Sequence, residues 1–250
     1  MKENTNGGCR KETQCIHCIH REETNRQNPY GAVAVPIYQT ATFSHPGIGR
    51  CTGYDYTRVS NPTRRHLEDI VTSLEGAEDT VACSSGMAAV ALCLSILPPK
   101  SHIVCTEDLY GGSVRLFREY EKQGYTFSYA DTSDPEAVEQ AMTERTKALY
   151  IETPSNPMMK ITDLRDMKRL AVRYGLLVIV DNTFLSPYLQ NPIEYGADLV
   201  IHSGTKFLCG HNDTIAGFLC AASKELSEKI RFQYKTTGSC LSPFDSFLLI

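Results

Sequence analysis

The chain has 250 residues, of which 42% are hydrophobic and 22% charged, values typical of a folded globular protein with one large domain or two small ones. A formal net charge of −4 argues against a basic surface for nucleic acid or anionic lipid. The N-terminal segment is polar and charged, so a signal peptide is not expected, and no apolar run approaches the ~20 residues of a membrane span. We therefore expect neither a nucleic-acid nor a membrane partner.

Ten cysteines are scattered along the chain without a dense framework, which predicts reduced thiols in a cytoplasmic protein. Five Cys and His residues lie close together near the N-terminus: Cys9, Cys15, His17, Cys18 and His20. The C-x-x-C pair within this group has zinc-ligand spacing, but a second pair at the usual distance does not follow. The segment is either a zinc site or a polar arm with incidental thiols, and we predict the arm and no metal.

Beyond residue 60, short apolar runs alternate with amphipathic segments, many of which end at glycine. We predict strands over residues 79–85, 102–106, 125–130, 147–152, 176–181, 198–203 and 214–221. We predict helices over residues 62–76, 86–97, 113–124, 134–142, 164–175, 224–235 and 242–250. Two of the strands, LLVIVD and DLVIHS, are apolar almost throughout, as in strands covered on both faces.

This alternation predicts an α/β fold in which helices flank a mostly parallel central sheet. Residues 1–60 contain Gly, Pro, Thr and Asn throughout and are predicted to be irregular. We therefore divide the chain into an extended N-terminal arm over residues 1–60 and a large domain over residues 61–250.

Polar and ionisable residues follow four of the predicted strands, at residues 84–87, 152–156, 181–183 and 203–206. In a parallel sheet the carboxyl ends of the strands meet at one edge, where ligands bind. The four segments therefore predict a single pocket.

Lys206 follows an apolar strand and is flanked by small residues in the segment SGTK. A poorly solvated lysine there can lose its proton and condense with a carbonyl to form a Schiff base, whereas the alternative is a surface lysine near a helix end. Asp181 ends the strand LLVIVD, where a carboxylate needs either a cationic partner, such as a pyridinium nitrogen, or a role as a turn cap. The turn CSSGMAAV, with Gly86 at its helix start, is suited to binding a phosphate. Together these features point to pyridoxal 5′-phosphate (PLP).

Six segments match one family in its order and spacing: GYDYTRVSNPTRRHLE, CSSGMAAV, EDLYGG, IETPSNP, VDNTFLSPYLQNPIEYGADLVIHSGTKFLCGHND and TTGSCLSPFDSFLL. On these motifs the chain resembles the Cys/Met-metabolism, or trans-sulfuration, family of PLP enzymes from about residue 12 to its last residue. The resemblance implies the large domain of a fold-type I PLP enzyme. Family members continue beyond the position of Ile250 into a smaller domain that binds the substrate carboxylate, so the resemblance also implies that this C-terminal small domain is missing.

The resemblance implies catalytic roles for three residues. Lys206 would carry the cofactor and move protons between the α and β carbons of the substrate. Asp181 would be the partner of the pyridine nitrogen, and Tyr110, in DLYGG, would stack on the ring.

The remaining family positions imply cofactor contacts. Gly86, Met87, Ser203 and Thr205 would hold the phosphate, Asn156 would face the 3-hydroxyl and Thr183 would support the site beside Asp181. Tyr56 and Arg58 would reach the phosphate in a neighbouring subunit, which implies a homodimer or homotetramer.

The resemblance further implies an enzyme that acts on C–S or C–O bonds of sulfur amino acids, with cystathionine γ-synthase as the first expectation. Cystathionine β-lyase, cystathionine γ-lyase and a truncated, cofactor-binding remnant remain alternatives. Gly112 stands where members that degrade methionine often have cysteine, and Asp55 is more similar to the cystathionine enzymes than to the sulfhydrylases. Cys209 replaces a glycine that is common in the family.

Overall fold

The computed structural model describes residues 10–16 and 30–250. Its strands are β1 (Asp79–Cys83), β2 (His102–Thr106), β3 (Thr126–Ala130), β4 (Thr146–Glu152), β5 (Leu177–Asp181), β6 (Leu199–His202) and β7 (Gly217–Ala221). Within the described residues they form one seven-stranded sheet in the order β1-β7-β6-β5-β4-β2-β3. β7 runs antiparallel to β1 and β6, and the other neighbouring pairs are parallel. The predicted α/β fold with a mostly parallel sheet is confirmed.

The helices precede, connect or follow the strands along the chain, and they cover both faces of the sheet. They are α1 (Lys11–Ile16), α2 (Pro62–Glu75), α3 (Gly86–Ser95), α4 (Gly111–Glu121), α5 (Pro135–Gln140), α6 (Leu164–Tyr174), α7 (Ser186–Leu189), α8 (Lys224–Thr237) and α9 (Pro243–Leu248), with a 3₁₀ turn at Pro192–Tyr195. None of them is long and apolar enough to span a membrane, as far as the described residues go.

Two apolar layers enclose the sheet because successive side chains of a strand point to opposite faces. In β5, Ile179 packs into the layer formed with α3, α4 and α8, whereas Val178 and Val180 pack into the layer formed with α2 and α6. This two-sided burial explains why β5 and β6 are apolar almost throughout, and it leaves the strand ends as the place for polar chemistry.

The strands predicted over 79–85 and 214–221 are longer than the observed β1 and β7, because residues at one end of each predicted segment form hydrogen bonds in neighbouring turns. The segment predicted over 79–85 ends at Cys83, because Ser85 caps α3 by accepting a hydrogen bond from the Ala88 N–H at 3.0 Å. The segment predicted over 214–221 begins at Gly217, because the Ala216 N–H donates to Thr205 Oγ1 at 3.1 Å.

The prediction that residues 1–60 are irregular is wrong for α1. This helix is held by contacts far away in sequence: Lys11 Nζ donates to the Pro187 carbonyl at 3.1 Å, and Glu12 accepts a hydrogen bond from the Tyr188 hydroxyl at 2.9 Å. A helix of this length is not stable by itself, so local sequence could not have revealed it. The division into an arm and a large domain stays a prediction.

The structure describes only one residue of the N-terminal Cys/His group, the exposed Cys15 of α1. Cys9, His17, Cys18 and His20 lie outside the described residues. Within the part of the chain that is described, no group of three or more His, Cys, Asp or Glu side chains is placed to hold a metal ion.

Candidate active site

A cavity of about 320 Å³ opens at the carboxyl ends of β4, β5 and β6. The volume is suited to a small cofactor or metabolite. All of the site residues predicted from the sequence line this cavity except Tyr56 and Arg58; those that do are Gly86, Met87, Tyr110, Asn156, Asp181, Thr183, Ser203, Thr205 and Lys206. The predicted convergence of the strand ends is therefore present in the structure.

The N-terminus of α3 forms one wall of the cavity. Gly86 and Met87 are its first two residues, and the first N–H groups of a helix lack acceptors within the helix. A Cβ at Gly86 would lie 2.9 Å from Ser203 Cβ, so only glycine lets the helix start approach the turn after β6 this closely. The arrangement gives the cavity an end with backbone donors for an anion.

Thr183 holds the carboxylate of Asp181 in place. Its hydroxyl donates to Asp181 Oδ1 at 2.6 Å, and its N–H donates to the same oxygen at 3.1 Å. Burial raises the pKa of Asp181, although the two hydrogen bonds from Thr183 act in the opposite direction. The Thr183 hydroxyl also accepts the Ser203 N–H at 2.8 Å and so links the ends of β5 and β6.

Tyr110 lies at the start of α4 and its side chain is half-exposed. A Cβ at Gly112 would lie 2.3 Å from Tyr110 Cε1, so the ring occupies the space that a side chain at position 112 would need. The Tyr110 ring therefore packs directly against the Gly112 backbone at the start of α4 and lines the cavity.

Glu152 is the site residue to which sequence analysis gave no role. Its carboxylate is buried, lines the cavity and accepts the Tyr110 N–H at 2.8 Å. Burial, together with the carboxylates of Asp181 and Asp108, raises the pKa of Glu152 to about 8. The available signal was its place at the end of a strand in the same segment as Asn156.

Lys206 lies in the turn that follows β6 and reaches the cavity from its mouth. The expectation of a poorly solvated ammonium group is wrong for this structure, because the side chain is exposed. The flanking residues Ser203, Gly204 and Thr205 are too small to cover it. The small residues therefore give the lysine room to move and do not desolvate it.

The Thr205 hydroxyl and the Asn156 side chain, which both line the cavity, differ in their surroundings. The Thr205 hydroxyl donates to the Ala216 carbonyl at 3.2 Å, so it must rotate before it can donate to an anion in the cavity. Asn156 is exposed and follows Ser155, whose hydroxyl donates to Asp108 Oδ2 at 2.6 Å.

Tyr56 and Arg58 are not among the residues that line the cavity. The Arg58 guanidinium donates to the Lys235 carbonyl of α8 and stacks at 5.1 Å over the Tyr56 ring. The buried Arg64 fixes this segment to the domain by donating to the Thr57 carbonyl at 2.5 Å. Neither predicted side chain is part of the cavity formed by its own chain.

The sequence pattern that defines the family described as Cys/Met metabolism PLP-dependent enzyme matches residues 12–250. The chain belongs to this family. A cystathionine γ-lyase of Bacillus subtilis is 48% identical over 221 residues, which are 88% of this chain and 58% of the relative. A cystathionine β-lyase of Lactococcus lactis is 44% identical over 220 residues, with coverage of 88% and 58%.

The fold is likewise that of solved family structures. The crystal structure of a cystathionine γ-synthase from Xanthomonas oryzae pv. oryzae, in complex with aminoacrylate and cysteine, is 41% identical and matches with a TM-score of 0.90. That match covers 96% of this chain and 62% of the solved chain. The chain thus spans about three fifths of the length of these relatives.

The cavity fits the cofactor of this family. Asp181 and Glu152 are in register on neighbouring strands and both line the cavity, and a protonated pyridine nitrogen is the kind of cation that a buried carboxylate such as Asp181 accommodates. The start of α3, where Gly86 leaves no room for a side chain, offers donors to a phosphate. The amine of Lys206 completes the set with a group that reacts with an aldehyde.

Proposed function

We propose that this chain carries the cofactor site of a PLP-dependent trans-sulfuration enzyme, which makes or breaks C–S or C–O bonds of sulfur amino acids. The observation that carries the proposal is the meeting of Asp181, Lys206, Tyr110 and the start of α3 at one cavity. Together they offer a carboxylate for the ring nitrogen, an amine for the aldehyde, an aromatic ring for stacking and backbone donors for the phosphate.

When bound, PLP supplies an aldehyde that links covalently to amines and a pyridinium ring that accepts electrons from a carbanion. Asp181, oriented by Thr183, would keep the proton on the ring nitrogen. Tyr110 would cover one face of the ring and exclude water, and Asn156 would donate to the 3-hydroxyl. Gly86, Met87, Ser203 and Thr205 would bind the phosphate.

Lys206 is the group placed to move protons. Its side chain enters the cavity from the solvent side and has no bulky neighbour in the SGTK turn. An unhindered amine can take a proton from the α carbon of the substrate and return one at the β carbon, because a single flexible side chain reaches both atoms. We therefore assign both proton transfers to the Lys206 Nζ.

Cystathionine γ-synthase is the activity we propose first, and cystathionine γ-lyase is the second candidate because a γ-lyase is 48% identical to this chain. Methionine is disfavoured as a substrate because Gly112 stands where family members that degrade methionine often have cysteine. In this chain the Tyr110 ring occupies the space beside that position, since a Cβ at Gly112 would lie 2.3 Å from Tyr110 Cε1.

A panel of substrates tests this assignment on the purified chain supplied with PLP. With an O-acyl-homoserine and cysteine, we expect cystathionine and the free acid as products, at a higher kcat/KM than for any other member of the panel. Cystathionine alone would give cysteine with 2-oxobutanoate and ammonia from a γ-lyase, or homocysteine with pyruvate and ammonia from a β-lyase. Faster turnover of methionine would contradict the proposal, and a cofactor-loaded chain that turns over none of these would favour the cofactor-binding remnant.

We propose that Tyr56 and Arg58 complete the phosphate site of a second subunit in a homo-oligomer. The support is their position: both side chains are exposed, lie outside the cavity of their own chain and sit on a segment that Arg64 fixes to the domain. An exposed arginine offers forked donors that suit a phosphate.

Mixed dimers of Arg58→Ala and Lys206→Ala chains test this arrangement. Each variant alone is expected to be nearly inactive, whereas one site of each hybrid keeps both groups. Random mixing should restore about a quarter of wild-type turnover, because half of the dimers are hybrids with one intact site. An absence of rescue in hybrids verified by mass spectrometry would show that the site is built within one chain. An Arg50→Ala chain, altered at another exposed arginine of the same segment, is the matched control.

A further inference from the structure

Glu152 and Asp181 are neighbours across the sheet. β4 and β5 pair in parallel with Glu152 in register with Asp181, so the two side chains leave the same edge on the same side. Both line the cavity. The cavity floor therefore contains two carboxyl groups, of which the cofactor nitrogen can be the direct partner of only one.

In the described structure, the charged groups with the largest effect on Glu152 are other carboxylates. The side chain is buried, and the charged groups that act on it are the carboxylates of Asp181 and Asp108. Two ionised carboxylates in register on neighbouring strands repel each other, and burial penalises both. A proton on one of them removes the repulsion.

A side-chain hydrogen bond of Glu152 holds the backbone of the loop that carries Tyr110. Glu152 Oε2 accepts the Tyr110 N–H at 2.8 Å, at a helix start that has no side-chain cap. Asp108, two residues earlier, accepts the Ser155 hydroxyl and the Met158 N–H, at 2.6 and 2.8 Å. Two carboxyl groups thus fix the loop before α4. Asp108, in the loop, bonds to the segment after β4, and Glu152, at the end of β4, bonds to the Tyr110 backbone.

We propose that Glu152 is a positioning residue of the cofactor site: a protonated carboxyl group that anchors the Tyr110 backbone against β4 and leaves Asp181 as the single anion facing the ring nitrogen. The inference rests on the proposal that this cavity holds PLP. The carbonyl oxygen of the protonated group accepts the Tyr110 N–H, and its proton removes one negative charge from the cavity floor.

The groups that face Glu152 decide how it titrates. They are Asp181 at the end of β5, Asp108 and Tyr110 of the loop before α4, Tyr150 of β4, and Lys206 across the cavity. His202, at the end of β6, acts on Asp181 and not on Glu152. Burial and the carboxylates of Asp181 and Asp108 favour the protonated form of Glu152, and together they outweigh the hydrogen bond from the Tyr110 N–H, which favours the ionised form.

Three substitutions separate the protonated form from its alternatives. Glu152→Gln keeps an oxygen for the Tyr110 N–H and a donor in place of the proton, without charge. Glu152→Asp keeps the acid on a shorter side chain that no longer reaches Tyr110. Glu152→Ala removes both. Glu107→Gln, which alters an exposed carboxylate in the same loop, is the matched control.

The affinity for PLP, measured by equilibrium titration of the apoprotein, is the first readout. We expect Glu152→Gln and the control to stay within about threefold of wild type, and Glu152→Ala to bind about tenfold or more weakly, as when a buried donor loses its partner. Circular dichroism of the bound cofactor should change in Glu152→Ala and Glu152→Asp and be retained in Glu152→Gln. A Gln variant as weak as Ala would overturn the proposal, because it would show that the negative charge is required; wild-type behaviour of Ala would also overturn it.

The pH dependence of stability in the apoprotein is the second readout. The carboxyl ionises near pH 4.5 when the chain is unfolded and near pH 8 when it is folded. Between these values the folded state holds a proton that the unfolded state has lost, so stability falls as the pH rises. Relative to Glu152→Gln, wild type should therefore lose thermal stability across this interval and no further above it. A difference that does not change with pH would contradict a protonated Glu152.

These readouts distinguish failure of the proposed cofactor site from failure of the proposed role of Glu152. Failure of wild type to bind PLP would refute the proposed cofactor site, while the pH dependence of the apoprotein would still report on Glu152. Binding of PLP with identical affinities in all variants would refute the role of Glu152 alone.

Discussion

Replacement of Lys206 by alanine is expected to abolish covalent retention of PLP and to lower kcat at least about 10²- to 10⁴-fold, the range for loss of a positioned proton-transfer group. The side chain lines the cavity at its mouth, where no other described residue of the lining has an amine. Water can enter its place but cannot form the covalent link. The loss therefore combines a binding defect with a chemical one.

The measurement is absorbance of the protein after desalting, followed by kcat with the preferred substrate. Lys229→Ala is the matched control, since Lys229 is an exposed lysine of α8 paired with Glu225 at 2.7 Å. Retention of bound, coloured cofactor by Lys206→Ala at the wild-type level would mean that another amine carries it. Thermal unfolding checks that the variant is folded.

Replacement of Asp181 by asparagine is expected to change cofactor affinity and apoprotein stability in opposite directions. The charge-assisted bond to the ring nitrogen would be lost, at about 1.5–3 kcal/mol, or roughly ten- to 150-fold in affinity. The apoprotein should become as stable as wild type or more stable at neutral pH. Burial raises the pKa of Asp181, so its charge opposes folding until a cation arrives.

Asparagine is a stringent substitution here because its oxygen can still accept both hydrogen bonds from Thr183. Affinity is measured by titration of the apoprotein with PLP, and stability by thermal unfolding across pH. Asp166→Asn, at an aspartate of α6 paired with Arg169, is the control for loss of a carboxylate elsewhere. A parallel loss of stability and affinity would show that Asp181 is a structural turn cap, the alternative that the sequence left open.

The fold and most of the cavity lining could be predicted because they depend on local patterns. Apolar strands such as β5 must be covered on both faces, and the residues that follow them must then meet at one sheet edge. Asp181 ends β5 and Lys206 follows the neighbouring strand β6, so their convergence follows from the topology.

The remaining features depend on contacts between distant segments. α1 is held by Pro187 and Tyr188, and the role of Glu152 depends on its register with Asp181 and on the Tyr110 N–H. The exposure of Lys206 depends on the size of its neighbours and on what covers the cavity mouth. Hydrophobic periodicity carries no information about any of these contacts.

Reduction of the cofactor-loaded protein with borohydride, followed by peptide mapping, shows whether Lys206 is the lysine that carries PLP. Borohydride fixes the link between PLP and an amine, and mass spectrometry then identifies the modified residue. We expect a single phosphopyridoxyl group on Lys206, in the peptide that contains HSGTK. A modification distributed over exposed lysines, or placed mainly on a lysine outside the cavity such as Lys160, would contradict it.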